Sequence, residues 1–513
     1  MAITQISRIQ HRRGLKESLP QLAAGELGFA VDTQELFIGN GTITDGAPET
    51  GNTKIITEDD NILSTANTFT FRGNTDSPVV TGTDNNSPIV RTLQKKLDDF
   101  VNVKDFGAVG DGQTDDTDAI NRAIANLMTV ESTGKQRRRL YFPGGIYIIT
   151  APILLYPFTN LIGDGMRSTI IRQTDATEEC VIRTCDSNGN TSVSIGDDGA
   201  DIPEAISVKD VQFETQSDNH VCIIDSGQDI HFQNVHFTGA YTNQDGQTNG
   251  KACVDIRGTT ANKSARLYFV HCTFEESENG VNSSFDVEDI IIQGSEFQKL
   301  YRGINLAEET DGSTGGKVQG PTGVLVHGVR FDLIDAEGVY IHNNGGQPHG
   351  NIVAGCSFRD VGANSDDSAD LPALNFEHAN NFAYGNYFHR TDILSNFDGA
   401  LYHETPIRHP LTLDDNASTF RNAVDPFTNG AVQYDNQRET HLEIDYCITR
   451  GTFKRRGKMR VESSVGNVIF SDDFSENGDV GVTLKVDAAG ILQYKTTSTG
   501  STANMKYRLQ YFV

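Results

Sequence analysis

The stretch Leu267-Tyr268-Phe269-Val270-His271-Cys272-Thr273-Phe274 is one copy of a pattern that recurs between residues 208 and 391. In each copy an apolar run leads to a turn-forming or turn-tolerant residue, and a phenylalanine follows three positions later. The phenylalanines are Phe213, Phe237, Phe274, Phe297, Phe331, Phe358 and Phe388. The residues three positions before them are Asp210, Asn234, His271, Gly294, Gly328, Gly355 and Gly385. The phenylalanines are 23 to 37 residues apart, and self-similarity at this period predicts a solenoid with loops of variable length.

Most repeats also have a second short apolar run before the phenylalanine strand, as at residues 221–225, 252–256 and 303–306. The rungs of a β-solenoid stack at about 4.8 Å, so equivalent positions form columns. Because side chains alternate along a strand, each phenylalanine and the residue two before it are predicted to point inward. Cys272 and Cys356 occupy that second position, which predicts that they are small core residues. The short β-rich runs between glycines indicate an all-β protein.

The net charge and the cysteine content restrict the possible partners and cofactors. The 513 residues carry a formal net charge of −27, which repels phosphates, so neither nucleic acid nor membrane partners are expected. No apolar run approaches about 18 residues, and residues 1–5 do not begin a signal segment. This pattern predicts a soluble protein made in a cytoplasm. Seven cysteines without regular spacing predict neither a disulfide framework nor a zinc site, and no metal or other cofactor is expected.

The first part of the chain contains a specific set of motifs. Residues 9–14 (IQHRRG), 22–33 (LAAGELGFAVDT) and 36–41 (LFIGNG) resemble the N-terminal domain of bacteriophage tail fibre and tropism-determinant proteins. The resemblance implies a trimeric, virion-proximal attachment domain over residues 1–58. Its implied partners are phage tail or baseplate proteins.

A second set of motifs begins near residue 101. Residues 103–112 (VKDFGAVGDG), 140–147 (LYFPGGIY) and 162–165 (IGDG) resemble the entry of the pectate-lyase-like right-handed β-helix, which occurs in phage tailspikes and in polysaccharide-cleaving enzymes. Between them, Ala119, Ile120, Ala123, Ile124 and Leu127 predict one apolar helix face that covers the open first rung. The glycines and acidic residues of 105–116 match neither a phosphate-binding loop nor an EF-hand. They are therefore interpreted as part of the fold cap.

These features together predict the fold class and the domain order. The fold is all-β, a right-handed parallel β-helix with a small N-terminal attachment domain and a C-terminal β-sandwich or jelly-roll. The predicted segments are 1–58 (attachment domain), 59–100 (linker and short neck helix), 101–410 (β-helix, with its entry motif at 101–165), 411–437 (linker) and 438–513 (C-terminal β-sandwich). Leu93, Leu97 and Phe100 lie on one face of the neck helix. One such helix is too short to be stable alone, so three copies are expected to meet there in a homotrimer.

The residues beside the phenylalanine column provide candidates for catalysis. Glu296 and Asp332 are predicted one rung apart on opposite sides of the column, with backbones about 8 Å apart. That separation suits the carboxylate pair of an inverting glycosidase, and Arg330 would act at an acidic sugar. The alternative is a surface ladder without chemistry, because any polar-faced solenoid offers carboxylates at such distances.

The glycan-binding candidates are Arg359, Tyr387, His389 and Tyr340. The chain has no tryptophan, so stacking on sugars would depend on tyrosine and phenylalanine. The predicted function is that of a phage tail spike or fibre, located in the virion and made in the host cytoplasm, that binds host surface polysaccharide. The alternative is a dedicated capsule or lipopolysaccharide depolymerase, either a hydrolase or a lyase.

Overall fold

The computed structural model describes residues 12–46, 50–56, 69, 89–128, 138–191, 201–241, 250–258, 263–283, 287–306, 321–342, 350–362, 372–376, 381–389, 393–397, 402–404, 411–423, 440–464, 467–488 and 490–512. The chain divides into two units, residues 1–100 and residues 101–513. Most of the predicted linker at 59–90 lies outside the described residues.

The first unit contains a small sheet. Its strands, in order across the sheet, are Arg12–Gly14, Leu27–Ala30, Glu35–Gly39 and Asn52–Ile55, with 3-10 turns at Lys16–Ser18 and Ile43–Asp45. Leu22, Ala30 and Phe37 form its core. Towards the end of this unit lies the predicted helix, Leu93–Leu97, where the Thr92 side chain accepts a hydrogen bond from the Lys95 amide (3.1 Å) and so caps the first turn.

The second unit begins as a parallel β-helix whose rungs pass through three sheets. Sheet I comprises Val101–Asn102, Leu140–Phe142, Asn160–Gly163, Ser207–Lys209, Gln228–Gln233, Ser264–Val270, Val287–Gln293, Leu325–His327, Ile352–Ala354, Phe382–Tyr384 and Tyr402–Glu404. Sheet II comprises Asp111–Asp115, Gly145–Ile149, Thr169–Gln173, Gln212–Thr215, His236–Thr238, Thr273–Glu275, Glu296–Leu300, Arg330–Ile334, Ser357–Val361 and Tyr387–His389. Sheet III comprises Ile153–Leu155, Cys180–Thr184, His220–Asp225, Ala252–Arg257, Asn279–Ser283, Arg302–Leu306, Val339–Ile341, Pro372–Phe376 and Ile393–Phe397. The predicted right-handed β-helix is confirmed.

The repeated phenylalanines form one column on the inner face of sheet II. The strand register pairs each of them with the next, from Phe213 to Phe388. Their rings stack, with centroids 4.3 Å apart between Phe274 and Phe297 and 4.7 Å apart between Phe331 and Phe358. Such aromatic contacts add about 0.5–1.5 kcal/mol per pair to the free energy of burial. The predicted inward column is therefore confirmed, and it runs through the main core.

The residues three positions before these phenylalanines make the turn between sheets I and II. All seven have a left-handed backbone, with φ between 54° and 65°. Asp210, Asn234 and His271 have Cβ atoms and still adopt this conformation. The side-chain amide of Asn234 also bonds the Asp210 carboxylate of the preceding rung. The left-handed backbone of this turn therefore explains why glycine and turn-forming polar residues recur three positions before each phenylalanine.

A glycine ladder on sheet III makes room for the phenylalanine rings. A Cβ atom added at Gly280 would lie 2.5 Å from the Phe297 ring. The same atom at Gly303 would lie 2.8 Å from the Phe331 ring and 2.4 Å from the Gly338 carbonyl oxygen. The ladder and the column are consequently complementary parts of one packed interior.

Each end of the β-helix is covered. At the start, helix Thr117–Met128 buries Ile120, Ala123 and Ile124 against the first rungs, as predicted. The acidic residues of the entry motif bond to the backbone: Asp116 accepts from the amides of Val109 (2.6 Å) and Gly110 (3.0 Å). These hydrogen bonds give the motif a structural role.

At the far end, the C-terminal sheet continues sheet I, because Tyr402 pairs with Phe512 in antiparallel register. This sheet comprises Leu411–Leu413, Thr440–Arg450, Phe453–Ser464, Asn467–Glu476 and Ala503–Phe512. A second sheet comprises Arg421–Asn422, Val482–Val486 and Leu492–Thr496. The two sheets share one apolar core, which gives the predicted sandwich. The predicted linker differs, because its residues 411–423 supply strands and the buried side chains of Leu413 and Ala417.

The glycine ladder yields a stability prediction. Replacing Gly303 by alanine should lower the free energy of unfolding of the β-helix by about 1–3 kcal/mol, since the new methyl group overlaps a carbonyl and a ring. The matched control is Gly328→Asn, at a left-handed turn (φ 62°) where a Cβ has open space and where Asn234 occupies the equivalent position. Denaturant unfolding should leave the control within about 1 kcal/mol of the unmodified protein. Equal stability of the two variants would contradict the proposed complementarity.

Candidate functional site

The outer face of sheet II consists of the two columns beside the phenylalanines. One column is Gln212, His236, Thr273, Glu296, Arg330, Ser357 and Tyr387. The other column is Glu214, Thr238, Glu275, Gln298, Asp332, Arg359 and His389. The face is therefore polar and charged along its length.

The predicted catalytic carboxylates are both in ion pairs on this face. Glu296 pairs with Arg330 of the next rung, and Asp332 pairs with Arg359, whose Nε lies 2.8 Å from Oδ1. Asp332 is buried beneath Arg359, whereas Arg330 is exposed. The bond to Asp332 raises the pKa of Arg359. Each carboxylate thus already has a cationic partner, and the catalytic assignment of Glu296, Asp332 and Arg330 stays a prediction.

The predicted glycan-binding residues are divided between two faces. Tyr387 is 53% exposed on sheet II. It pairs with Ser357 of the preceding rung, and in the same two strands Arg359 pairs with the backbone of His389. The His389 side chain lies outside the described residues. Tyr340 lies instead on sheet III, where its ring contacts His342 (centroids 3.5 Å apart) and the Arg302 guanidinium (5.6 Å). Arg359 and Tyr387 therefore lie on neighbouring rungs of one face, and Tyr340 lies on another face.

A charged network on sheet II fixes the middle of this face. The Glu275 carboxylate contacts His236 Nε2 (3.0 Å), Gln298 Nε2 (2.9 Å) and Lys299 Nζ (3.0 Å). Lys299 also pairs with Glu276 at 2.9 Å. The hydrogen bond from His236, with those from Lys299 and Gln298, lowers the pKa of Glu275 to about 2. Glu275 is consequently held as an anion over the ordinary pH range.

A groove follows this network where sheet II turns towards sheet III. Its volume is about 920 Å3. Its lining includes three carboxylates, a lysine and a tyrosine: Glu214, Glu276, Asp335, Lys299 and Tyr241. The rungs from Phe213 to Phe331 contribute to it, which corresponds to a length of about 19 Å along the helix axis. A groove of this length accommodates several sugar units of an extended chain.

Asp335 is a partly buried carboxyl group of this groove. Burial raises the pKa of Asp335 to about 6, and burial raises the pKa of the neighbouring Tyr241 to about 12. Glu214 is paired with Arg172 (3.0 Å) and Glu276 with Lys299. The groove therefore combines a carboxyl group that keeps its proton up to about pH 6 with carboxylates in ion pairs. A proton donor and carboxylates in one groove are what general acid and base catalysis requires.

The sequence pattern does not single out Asp335, Glu276, Lys299 or Tyr241. The predicted residues of sheet II are the positions next to each phenylalanine, whereas Glu276 and Lys299 come two positions after it, and Asp335 comes four positions after. The residues two positions after have φ of 51–55° at Glu276, Lys299, Leu333 and Asp360, so the chain turns there. The charged residues at three of these four positions were the available signal.

A second concavity lies on the outer face of the C-terminal sheet, with a volume of about 1240 Å3. Charged residues of both signs line it, including Arg456, Lys458, Asp445, Asp473 and Arg508. Asp445 pairs with Arg508 (3.0 Å) and contacts Lys458 (3.6 Å), so these two cations largely compensate the charge of Asp445.

Within the described ranges, no group of three or more histidine, cysteine, aspartate or glutamate side chains is placed to hold a metal ion. No described helix has the length and apolar character to cross a membrane. All seven cysteines are free, and burial raises the pKa of Cys272 to about 12, which fits its predicted place in the core.

The protonation of Asp335 predicts a pH-dependent contribution to stability. Its pKa is higher in the folded chain (about 6) than the ordinary value of 3.8, so folding favours the protonated form. The stabilisation is complete below about pH 4 and is lost as pH rises through 6. Asp335→Asn should therefore gain about 1 kcal/mol over the unmodified protein at pH 7.5, after allowance for solvent screening, and nothing at pH 4. Thermal unfolding at both pH values checks this, and a pH-independent difference would contradict it.

Two family profiles match separate parts of the sequence. Residues 9–43 match the major tropism determinant N-terminal domain, and residues 100–319 match the family described as rhamnogalacturonase A/epimerase, pectate lyase-like. These matches coincide with the attachment-like motifs and with the first rungs of the β-helix.

Several known proteins share shorter segments. A probable glucan endo-1,3-beta-glucosidase of Arthroderma benhamiae is 42% identical over 77 residues, which is 14% of this chain and 9% of that protein. The tail spike protein of an Escherichia phage is 48% identical over 46 residues, 9% of this chain and 6% of that protein. The solved structure of Geobacillus virus E2 ORF18 covers 97% of this chain and 91% of its own, with a TM-score of 0.37 and 14% identity. The two family matches confirm the resemblances to the tropism-determinant N-terminal domain and to the pectate-lyase-like β-helix.

Proposed function

We propose that this chain is the subunit of a phage tail spike that attaches to the virion tail and binds host surface polysaccharide. The observation that carries the proposal is the order of parts on one chain. A segment matching the major tropism determinant N-terminal domain precedes a pectate-lyase-like β-helix, and that β-helix has a carboxylate-lined groove. The 48% identity over 46 residues to a phage tail spike protein supports the same assignment.

In this proposal, attachment to the virion and binding of the host glycan belong to different domains. Residues 1–58 would contact tail or baseplate proteins, and the β-helix would contact the host glycan. Polysaccharide chains offer hydroxyl groups and, in acidic polymers, carboxylates, which suit a groove with Lys299, Tyr241 and exposed Arg330 and Arg359 nearby. The exposed ring of Tyr387 provides a stacking surface.

The proposed spike is a homotrimer. The apolar face of the short helix is uncovered in the single chain, with Leu93 37%, Leu97 50% and Phe100 76% exposed. Strand Asn467–Glu476 ends the C-terminal sheet among the described strands and exposes Ile469 and Phe474. Apolar faces and long edge strands of this kind favour association with further copies.

A second candidate function, cleavage of the bound polysaccharide, is favoured by the groove chemistry. In hydrolysis, the Asp335 carboxyl group would give its proton to the leaving glycosidic oxygen while a carboxylate takes a proton from the attacking water. Glu276 is the fitting base, because it lies two rungs away, about 10 Å between backbones, in an ion pair with Lys299. Asp335 is a better candidate acid than Glu296 or Asp332, because burial raises its pKa to about 6, whereas those two carboxylates form ion pairs with arginines.

Binding is tested with capsular polysaccharide purified from the host strain. The purified protein should bind this polymer and compete with phage adsorption to the cells. A chain shortened to residues 101–513 should still bind the polymer but should not incorporate into virions. Absence of binding to the surface polysaccharides of every strain that the phage infects would contradict the proposal.

Cleavage is tested by the release of reducing ends from the same polymer. Asp335→Asn and Glu276→Gln should each lower the rate by at least about 100-fold while binding is retained. Glu296→Gln and Asp332→Asn serve as the comparison, since they remove carboxylates of the same sheet that are engaged in ion pairs. If activity is lost in the second pair and kept in the first, the pair Glu296 and Asp332 is the catalytic one. Binding without cleavage by the unmodified protein would leave adsorption as its function.

A further inference from the structure

The outer face of sheet I differs from the other faces of the β-helix in its composition. Two adjacent columns cover six consecutive rungs. The first is His231, Tyr268, Ile291, Leu325, Ile352 and Phe382. The second is Gln233, Val270, Gln293, His327, Ala354 and Tyr384. Residues between the columns, such as Phe269, Ile292 and Val326, are buried, so the two columns point outward. All of their side chains except Ala354 are at least partly exposed.

Neither column contains an acidic residue, although the chain has 69 aspartates and glutamates among 513 residues. Lysine and arginine are also absent from these twelve positions. On the same rungs, the outer face of sheet II has Glu275, Glu296, Arg330, Asp332 and Arg359. The same sheet I strands carry Asp229, Arg266 and Asp289 nearer their first residues, so the absence of charge belongs to these two columns. It does not follow from the average composition of the β-helix.

The first column is also apolar and continuous. The His231 and Tyr268 rings stack in parallel, with centroids 4.2 Å apart and an angle of 7° between planes. Partial burial lowers the pKa of His231, which keeps this ring neutral. From His231 to Phe382 the column is about 24 Å long. Its register continues through Tyr402 to Phe512 of the C-terminal sheet.

We propose that this face, the outer columns of sheet I, is the surface through which copies of the chain pack around a common axis. The inference rests on the homotrimer of the proposed function and adds the surface that forms it. Each copy has a net charge of −27, so copies repel one another wherever their carboxylates face across a contact. Contact through the two uncharged columns, beside the charged positions of the same strands, avoids both this repulsion and the cost of dehydrating ions. The apolar column contributes burial energy on contact.

This arrangement also leaves the polar faces accessible. With sheet I at the axis, the groove beside sheet II and the residues around Tyr387 and Arg359 would face outward. The binding surface and the assembly surface would then be separate parts of the same rung.

The first test places one charge in the apolar column. Leu325→Glu would bring three carboxylates together at the axis, and light scattering should show a mass falling from about three times 56.0 kDa to 56.0 kDa. Ser357→Glu, on sheet II beside Arg330, is the matched control and should keep the mass of the unmodified protein. Circular dichroism should show a folded β-protein in both variants.

The second test does not depend on tolerance of a charge. Leu325→Cys, made together with Cys447→Ser to remove the partly exposed native thiol, should give covalent dimers with a short bifunctional maleimide. Ser357→Cys in the same background should not cross-link. If Leu325→Cys fails to cross-link while the protein is trimeric, the proposed face is wrong.

The outcomes separate this inference from the proposed function. A trimer that survives Leu325→Glu overturns the assignment of the face and leaves the tail-spike proposal intact. If the surviving trimer loses binding to the host capsular polysaccharide, sheet I is a glycan surface and the inference also fails. A monomeric unmodified protein contradicts the proposed homotrimer itself.

Discussion

The stacking of one phenylalanine per rung is the interaction on which the rest of the structure depends. The rings lie 4.3–6.1 Å apart along the inner face of sheet II, which matches the rise of a parallel strand ladder. Each of the seven rungs makes a left-handed turn before its phenylalanine, as at Gly294. In three rungs a glycine of sheet III packs against the ring, as Gly303 does against Phe331. The interior therefore constrains residue identity at positions outside the column itself.

The same constraint leaves the outward positions free to differ from face to face. Two outward columns of sheet I are uncharged and partly apolar over six rungs, whereas the outward columns of sheet II include both acids and bases. Sheet III presents hydrogen-bonded amides, with Asn282 bonded to Asp255 (2.8 Å) and Asn305 bonded to Asn282 (2.9 Å). A regular scaffold with three distinct faces allows assembly and ligand binding to be separated in space.

On the outer face of sheet II, the environment of a carboxylate depends on how many residues separate it from the phenylalanine. One residue before or after the phenylalanine, a carboxylate lies opposite the basic side chain of a neighbouring rung, as Glu296 does with Arg330. Four residues after it, Asp335 enters the turn, where burial raises its pKa to about 6. The chemical character of a carboxylate in this fold is thus set by its distance along the chain from the buried phenylalanine.

The sequence alone determined the solenoid, its inward column, the apolar helix face at Ile120 and Ile124 and the N-terminal and β-helix resemblances, because these depend on local patterns and short motifs. The ion pairs at Glu296 and Asp332 and the position of Tyr340 on sheet III were decided by the tertiary structure. So were the strands within residues 411–423 and the groove at Asp335. Loop lengths between rungs vary, so partners 23 to 37 residues apart meet only when the rungs stack. Burial and charge pairing at a site follow from that stacking and cannot be read from spacing along the chain.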